Sequence, residues 1–408
     1  MPVTRIRRLS GWPDVLIPLA IWLVFTAIGS VILAVASSHQ VALERSVPGY
    51  GVTEPIPASP GYFGVLTNWD ANWYRSIAAN GYPTALPLDA NGVVQQNEWA
   101  FYPAYPMIVR AVLSLTGLDF AHGAWAVSLV FGAAAMVALF RLVRPRMGRF
   151  GAGAMVSCVM AYVTAPVLQV AYTEGLALLL VVVFIGAVSR RRLAAAVAVA
   201  VVLSLSRPIA LPLGLVMATM VLRDWISSRH EPSRSRIPTG GLVATALVFA
   251  TVGLWPLVAW VATGRRGAFF ETQAAWPVNH NGLGGWLNDM VHLTPLGLVG
   301  IAIVLFVGLV GLRPGARLWG PELRVWAVLY PLYLILASRP SPSILRYLML
   351  AIAPLWPFPA VGVSYLRNVR WAAPAILAVV MLMGLASQYV WVTTVFTVAH
   401  DPSQQPFP

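Results

Sequence analysis

The chain has 408 residues, 58% of them hydrophobic and only 10% charged, against roughly 25% charged in a soluble domain; a water-soluble fold is excluded. The formal net charge of +13 does not point to nucleic acid, because the basic residues punctuate apolar runs instead of clustering on one soluble face or arm.

A spanning helix needs about 20 mostly apolar residues. In chain order, such stretches run over 15–36, 122–140, 151–170, 172–188, 193–206, 208–222, 240–262, 293–312, 323–338, 345–366 and 371–394, eleven in all. They predict an all-α polytopic membrane protein with one integral membrane domain over 1–408. The first run follows Arg5, Arg7 and Arg8 but exceeds the roughly 7 to 15 apolar residues of a signal peptide, so it reads as a retained helix. The apolar run from Phe101 to Leu118 carries Arg110 mid-segment and Pro103 and Pro106 near its start, which predicts an interfacial or re-entrant segment. The lone cysteine, Cys158, has no partner for an internal disulfide.

Orientation follows from the arginines, because cytoplasmic loops retain positive charge. All 27 basic residues are arginine, which suits the GC-rich genome of a bacterium. With the N-terminus cytoplasmic, nineteen of them fall inside, while ten of the fourteen acidic residues fall outside. Two extracytoplasmic loops are then long, 37–100 and 263–292, and the first is predicted to carry interfacial helices.

The densest cluster of chemically useful residues is Asn68 to Ala78. Trp69, Trp73 and Ile77 recur at helical spacing and indoles favour the bilayer interface, so the segment reads as a short helix lying on the membrane, with Asn68 as its N-cap and Asp70 in its first turn. Asp70 either complements the helix dipole or serves as a general base beside a membrane-level cavity. Glu98, Tyr102 and the proline-rich tract Phe101 to Pro106 follow. Glu174 and Arg207 fall at the outer ends of spans, where ionisable groups face a cavity or a partner; they form either a structural ion pair or part of a site. In the second loop, Gln273 and His280 offer polar groups between aromatic rings, as sugar hydroxyls require and as any wet loop anchored by tryptophan also provides. His280 has no companions spaced for metal ligation, and no metal or cofactor is expected. Arg339 and Arg346 bracket a late external turn, as interface anchors or as phosphate ligands through their planar forks.

The string Trp69-Asp70-Ala71-Asn72-Trp73-Tyr74, with Ile77-Ala78 and Gly81-Tyr82, resembles the first-loop signature of PIG-V-type mannosyltransferases, relatives of the enzyme adding the second mannose of the GPI anchor. Phe101 to Pro106, Tyr172 to Glu174, Arg207-Pro208 and Arg346-Tyr347 before Pro354 match in order, so the similarity runs from about residue 60 to 360. Pro208 stands where the family often has Asn, and Phe-Tyr-Pro replaces Phe-Phe-Pro. The resemblance implies a GT-C-like fold and an actinobacterial-like bacterial member. It also implies transfer of mannose from a polyprenyl phosphate mannose to a lipid, glycan or protein acceptor at the extracytoplasmic face of the cell membrane; eukaryotic relatives act in the endoplasmic reticulum. Asp70 would be the base, with Trp69, Trp73, Tyr74, Glu98, Tyr102 and Glu174 among the donor- or substrate-binding residues. Arg207, Gln273, His280, Arg339, Arg346 and Tyr347 complete that set. A small membrane subunit is an implied partner, as some family members have one. A transporter or flippase for a lipid-linked sugar is the rival reading; it needs polar groups deep inside several spans, whereas Val127 to Leu139 and Leu296 to Leu309 carry no charge. A non-catalytic subunit of another enzyme is the second rival.

Overall fold

The computed structural model describes residues 11–44, 54–228, 239–276, 282–312, 319–352 and 371–399. Among these the chain is helical, and β-structure is limited to two isolated bridges, Leu43 with Ile56 and Leu88 with Val94. Five helices are long and apolar enough to cross a membrane: Pro13–Ser37, Phe120–Met160, Ala210–Ser228, Thr239–Thr263 and Pro374–Phe396. A sixth results if Gly282–Val291 and Pro295–Leu309, bent by 102°, form one span. The protein is thus a multi-pass helical membrane protein.

The first helix, α1 (Pro13–Ser37), leads into the first loop, which holds α2 (Gly61–Val65) and α3 (Asp70–Asn80). Next comes α4 (Ala104–Thr116), whose 13 residues fall short of the roughly 20 that a span requires. The runs expected at 122–140 and 151–170 fall in α5 (Phe120–Met160), two helical segments that meet at a kink at Gly148 with φ 70° and ψ −179°, the second ending at Met160 and short of the expected 170. A positive φ there is open to glycine without the Cβ clash other residues suffer.

After α5 come α6 (Glu174–Ser189), α7 (Leu193–Ser204), α8 (Ala210–Ser228), α9 (Thr239–Ala250), α10 (Leu254–Thr263) and α11 (Ala268–Ala274). The remaining helices are α12 (Gly282–Val291), α13 (Pro295–Leu312), α14 (Pro321–Ala337), α15 (Ser343–Leu348) and α16 (Ala372–Trp391). The span expected at 345–366 lies within the described residues only as far as Ile352.

Small residues set the tightest packing. A Cβ on Gly175 of α6 would stand 3.2 Å from both the Gly132 nitrogen and the Ser128 carbonyl of α5, and one on Gly132 would meet the Trp22 indole of α1 at 2.3 Å. In lipid, helix association rests on such close backbone approach because apolar burial gives little between spans.

Ion pairs fall at the two ends of this bundle. At one end Asp14 pairs with Arg144, Arg191 with Asp224, and Arg223 reaches Glu322 at 3.9 Å. The other end of α6 begins at Glu174, and the 16 residues of the helix span about 24 Å at 1.5 Å per residue.

Candidate active site

Asp70 opens α3, and the residue before it is strained. Trp69 has φ 59° and ψ −123°, a region that non-glycine residues occupy only where the surroundings over-determine it. Its indole N–H donates to the Phe396 carbonyl at 2.7 Å, and the side chain is buried. This corrects two expectations. Trp69, not Asn68, is the N-cap, and no side chain caps the helix; Asn68 is buried and donates its amide to the Gln40 side-chain carbonyl at 2.7 Å. The helix does not lie against lipid on its tryptophan stripe, since Trp69 and Ile77 pack inside the protein. Trp73 stacks on Phe101 at 5.6 Å, with Trp276 edge-on to both.

Asp70 reaches across the fold. Its Oδ2 accepts a hydrogen bond from Arg346 Nη1 at 2.7 Å. The same Arg346 nitrogen stands 3.3 Å from Glu174 Oε1, which accepts from Arg207 Nη2 at 3.0 Å. Two acids and two bases therefore alternate as Asp70, Arg346, Glu174, Arg207. Side-chain exposure is 30% for Asp70, 3% for Arg346, 1% for Glu174 and 10% for Arg207. Aromatic faces complete the enclosure: the Arg346 guanidinium carbon lies 4.7 Å from the Tyr172 ring centre, and Tyr347 receives Arg207 at 5.0 Å and Arg346 at 5.3 Å, within cation–π range. Among the described residues, Arg207 Nη1, Arg346 Nε and Glu174 Oε2 are buried without a hydrogen-bond partner.

Each charged group is fixed by its element. Glu174 starts α6, where the helix dipole favours an anion, and Gly175 seats that end against α5. Arg207 follows α7, its backbone N–H bonded to the Leu203 carbonyl at 2.9 Å, and Tyr333 donates its hydroxyl to the Pro208 carbonyl. Arg346 sits in α15 between two clamped carbonyls: Leu345 accepts from the Tyr162 hydroxyl at 2.9 Å and Tyr347 from that of Tyr330 at 3.0 Å. A third clamp runs from the Trp326 indole to the Leu350 carbonyl at 2.7 Å.

Tyr74 is buried one turn from Asp70, its ring against Phe101 and Tyr105. Burial pushes its phenol pKa up, and the Asp70 and Glu174 carboxylates push the same way against Arg207 and Arg346.

Other expected site residues take places around this cluster. Glu98 accepts from the Ser76 hydroxyl at 2.7 Å, and Gln273 donates to the Ala100 carbonyl at 3.1 Å; both pin the loop that carries Phe101. Tyr102 packs near Trp255 and Phe269. Arg339 is half-buried just past α14. His280 lies outside the described residues. Among those described, no three His, Cys, Asp or Glu side chains gather as metal ligands do.

Tyr162 and Tyr330 belong to the surroundings of the site although the sequence did not mark them. Their partners, Leu345 and Tyr347, lie beyond helical spacing in the chain, so no local pattern could have flagged them.

No family model matches the chain, and no curated protein matches it in sequence. Among solved structures, the crystal structure of ArnT from Cupriavidus metallidurans bound to undecaprenyl phosphate aligns over 92% of this chain and 69% of that one, at 17% identity and a TM-score of 0.49. A likeness at that level assigns neither a fold family nor a chemistry to this chain.

Proposed function

We propose that this protein is a membrane-embedded glycosyltransferase of the GT-C type that moves mannose from a polyprenyl phosphate donor to a hydroxyl of a lipid, glycan or protein acceptor. The observation that carries the reading is a partly exposed carboxylate, Asp70, joined at 2.7 Å to one of two buried guanidiniums. The ordered resemblance of residues 69–74, 101–106, 172–174, 207–208 and 346–347 to PIG-V-type enzymes supports the sugar and the donor. The arginine distribution supports an extracytoplasmic site with the N-terminus cytoplasmic.

The chemistry is one inverting displacement. The acceptor oxygen attacks C1 of the sugar, the C1–O bond to phosphate breaks, and Asp70 takes the hydroxyl proton. The donor phosphodiester carries one negative charge and the released monoester gains a second, so charge grows on the phosphate as the bond breaks. Arg346 and Arg207, held rigid by Glu174 and the tyrosine faces, stabilise that charge without reorganising. Phosphate is already a good leaving group, so one carboxylate suffices where a glycosidase uses two.

The test is mass analysis of membrane lipids and glycans from a deletion strain complemented with wild type or Asp70→Asn. In vitro, transfer from polyprenyl phosphate mannose should fall by about 100- to 10,000-fold in the variant, the usual weight of general base catalysis, while membrane insertion is unchanged. Near-full activity of Asp70→Asn sinks the assignment. Movement of a labelled lipid-linked sugar between leaflets by the purified protein, with no mannosylated product, establishes a flippase instead.

A further inference from the structure

The two carboxylates of the cluster are not equivalent. Glu174 is almost wholly enclosed and faces both guanidiniums, at 3.0 Å from Arg207 and 3.3 Å from Arg346. Removing it would strand two buried cations, so it is a permanent counter-ion. Asp70 is the more exposed partner, on the short helix α3, and holds only one edge of Arg346. Charge is balanced across Asp70, Glu174, Arg207 and Arg346, yet the hydrogen bonding is not: Arg346 Nε and Arg207 Nη1 are buried donors without acceptors among the described residues.

We infer that Asp70 and the donor phosphate compete for Arg346, so that donor binding itself releases the base. The inference rests on the proposed transferase reading. A phosphodiester brings one negative charge and non-bridging oxygens that suit the planar guanidinium fork. Its arrival gives three anions for two cations, and the anion free to move is Asp70. Once the phosphate takes the edge of Arg346 that Asp70 held, the Asp70 carboxylate loses its ion pair and is available to the acceptor. In the transfer step, the acceptor O–H proton passes to Asp70, the acceptor oxygen bonds to C1, and the electron pair of the broken C1–O bond stays on the phosphate beside Arg346. Binding is therefore ordered, donor first, and without donor the base stays masked by its ion pair.

This makes an unusual demand on an inactivating substitution. Asp70→Asn removes the competitor for Arg346, so it should bind a polyprenyl phosphate more tightly than wild type, by about tenfold or more, although its sugar transfer is slowed. The measurement is equilibrium binding of a short-chain polyprenyl phosphate to the purified full chain in detergent, for wild type, Asp70→Asn, Asp70→Ala and Arg346→Gln. Tighter binding in both Asp70 variants and weaker binding in Arg346→Gln is the expected result. Equal or weaker binding in the Asp70 variants overturns the competition. So does acceptor binding to wild type that is as strong without donor as with it. The transfer assay keeps the two ideas apart: an inactive Asp70→Asn with unchanged lipid phosphate binding removes the competition and leaves the transferase reading standing. An Asp70→Asn that transfers mannose at near the wild-type rate removes both. Tighter binding in a protein whose wild type never transfers sugar removes the transferase reading alone.

Discussion

Glu174 and Arg207 form a 3.0 Å ion pair that water barely reaches, at the meeting point of α6 and the turn after α7. Breaking a buried pair by removing one partner strands the other and costs about 3 to 5 kcal/mol. Glu174→Gln should therefore lower the thermal unfolding midpoint in detergent clearly. Glu174→Gln combined with Arg207→Gln should cost less than the two single losses added together, because the second change removes the stranded charge. Additive single losses in a double-mutant cycle would show the pair to be uncoupled.

Trp69→Phe tests the strained entry to α3. The change keeps an aromatic ring but leaves the buried Phe396 carbonyl without its indole donor, an unmade hydrogen bond worth about 1 to 3 kcal/mol. Stability should drop by that order, and kcat should fall more than KM rises, since Asp70 is the next residue. An unaltered kcat in a destabilised protein would separate the strain from the chemistry.

Tyr330→Phe removes the hydroxyl that holds the Tyr347 carbonyl at 3.0 Å while keeping the ring stacked on Trp326 at 4.6 Å. Of the two carbonyls that flank Arg346, only that of Leu345 then keeps its clamp, from Tyr162. We expect a raised KM for the lipid-linked donor and a stability loss of about 1 kcal/mol. Donor KM equal to that of wild type counts against the clamp.

Gly175→Ala and Gly308→Ala form a matched contrast. The first places a Cβ 3.2 Å from the backbone of Gly132 and Ser128, while the second has no heavy atom within 4 Å. Backbone cannot swing aside as a side chain does, so Gly175→Ala should cost about 1 to 3 kcal/mol and disturb transfer by shifting Glu174. Gly308→Ala should be near neutral on both measures, read by thermal melting and initial rates.

Tyr74 stands one turn from the proposed base, and its phenol pKa is raised chiefly by burial. A raised pKa keeps the hydroxyl neutral through neutral and mildly alkaline pH. The pH–rate profile of Tyr74→Phe should accordingly keep the shape of the wild-type profile. A limb lost or moved in that variant would mean that Tyr74 titrates in the working range.

The helical membrane architecture was legible because apolar runs of span length and proline breaks are local signals. Phe101 to Leu118 could be read as a non-spanning segment from Arg110 and two prolines, and α4 has only 13 residues; α7, expected as a span at 193–206, is shorter still at 12. The break in α5 was legible as the gap between the runs at 122–140 and 151–170, but its place at Gly148 was not, since a single glycine gives no sign of the φ it adopts. Asn68 looked like a cap because caps are judged from neighbouring residues. The side chain went instead to Gln40, 28 positions away. Trp69 and Ile77 formed an apolar stripe at the right period, but period alone does not distinguish lipid from protein as the neighbour. Glu174 and Arg207 could be paired from their positions at span ends. The contact between Asp70 and Arg346 spans 276 positions, and nothing short of the folded chain brings those two ends together.

The hydrogen bond from Trp69 to Phe396 joins residues 327 positions apart, and this sets a clock during synthesis. At about 5 to 20 residues per second, Trp69 leaves the ribosome roughly 15 to 65 s before Phe396 is made. Throughout that interval the tether of Trp69 is unmade, so the turn that precedes Asp70 lacks its indole partner until the segment bearing Phe396 has been made. The strained turn that presents Asp70 is therefore completed late, only after Phe396 has joined the fold.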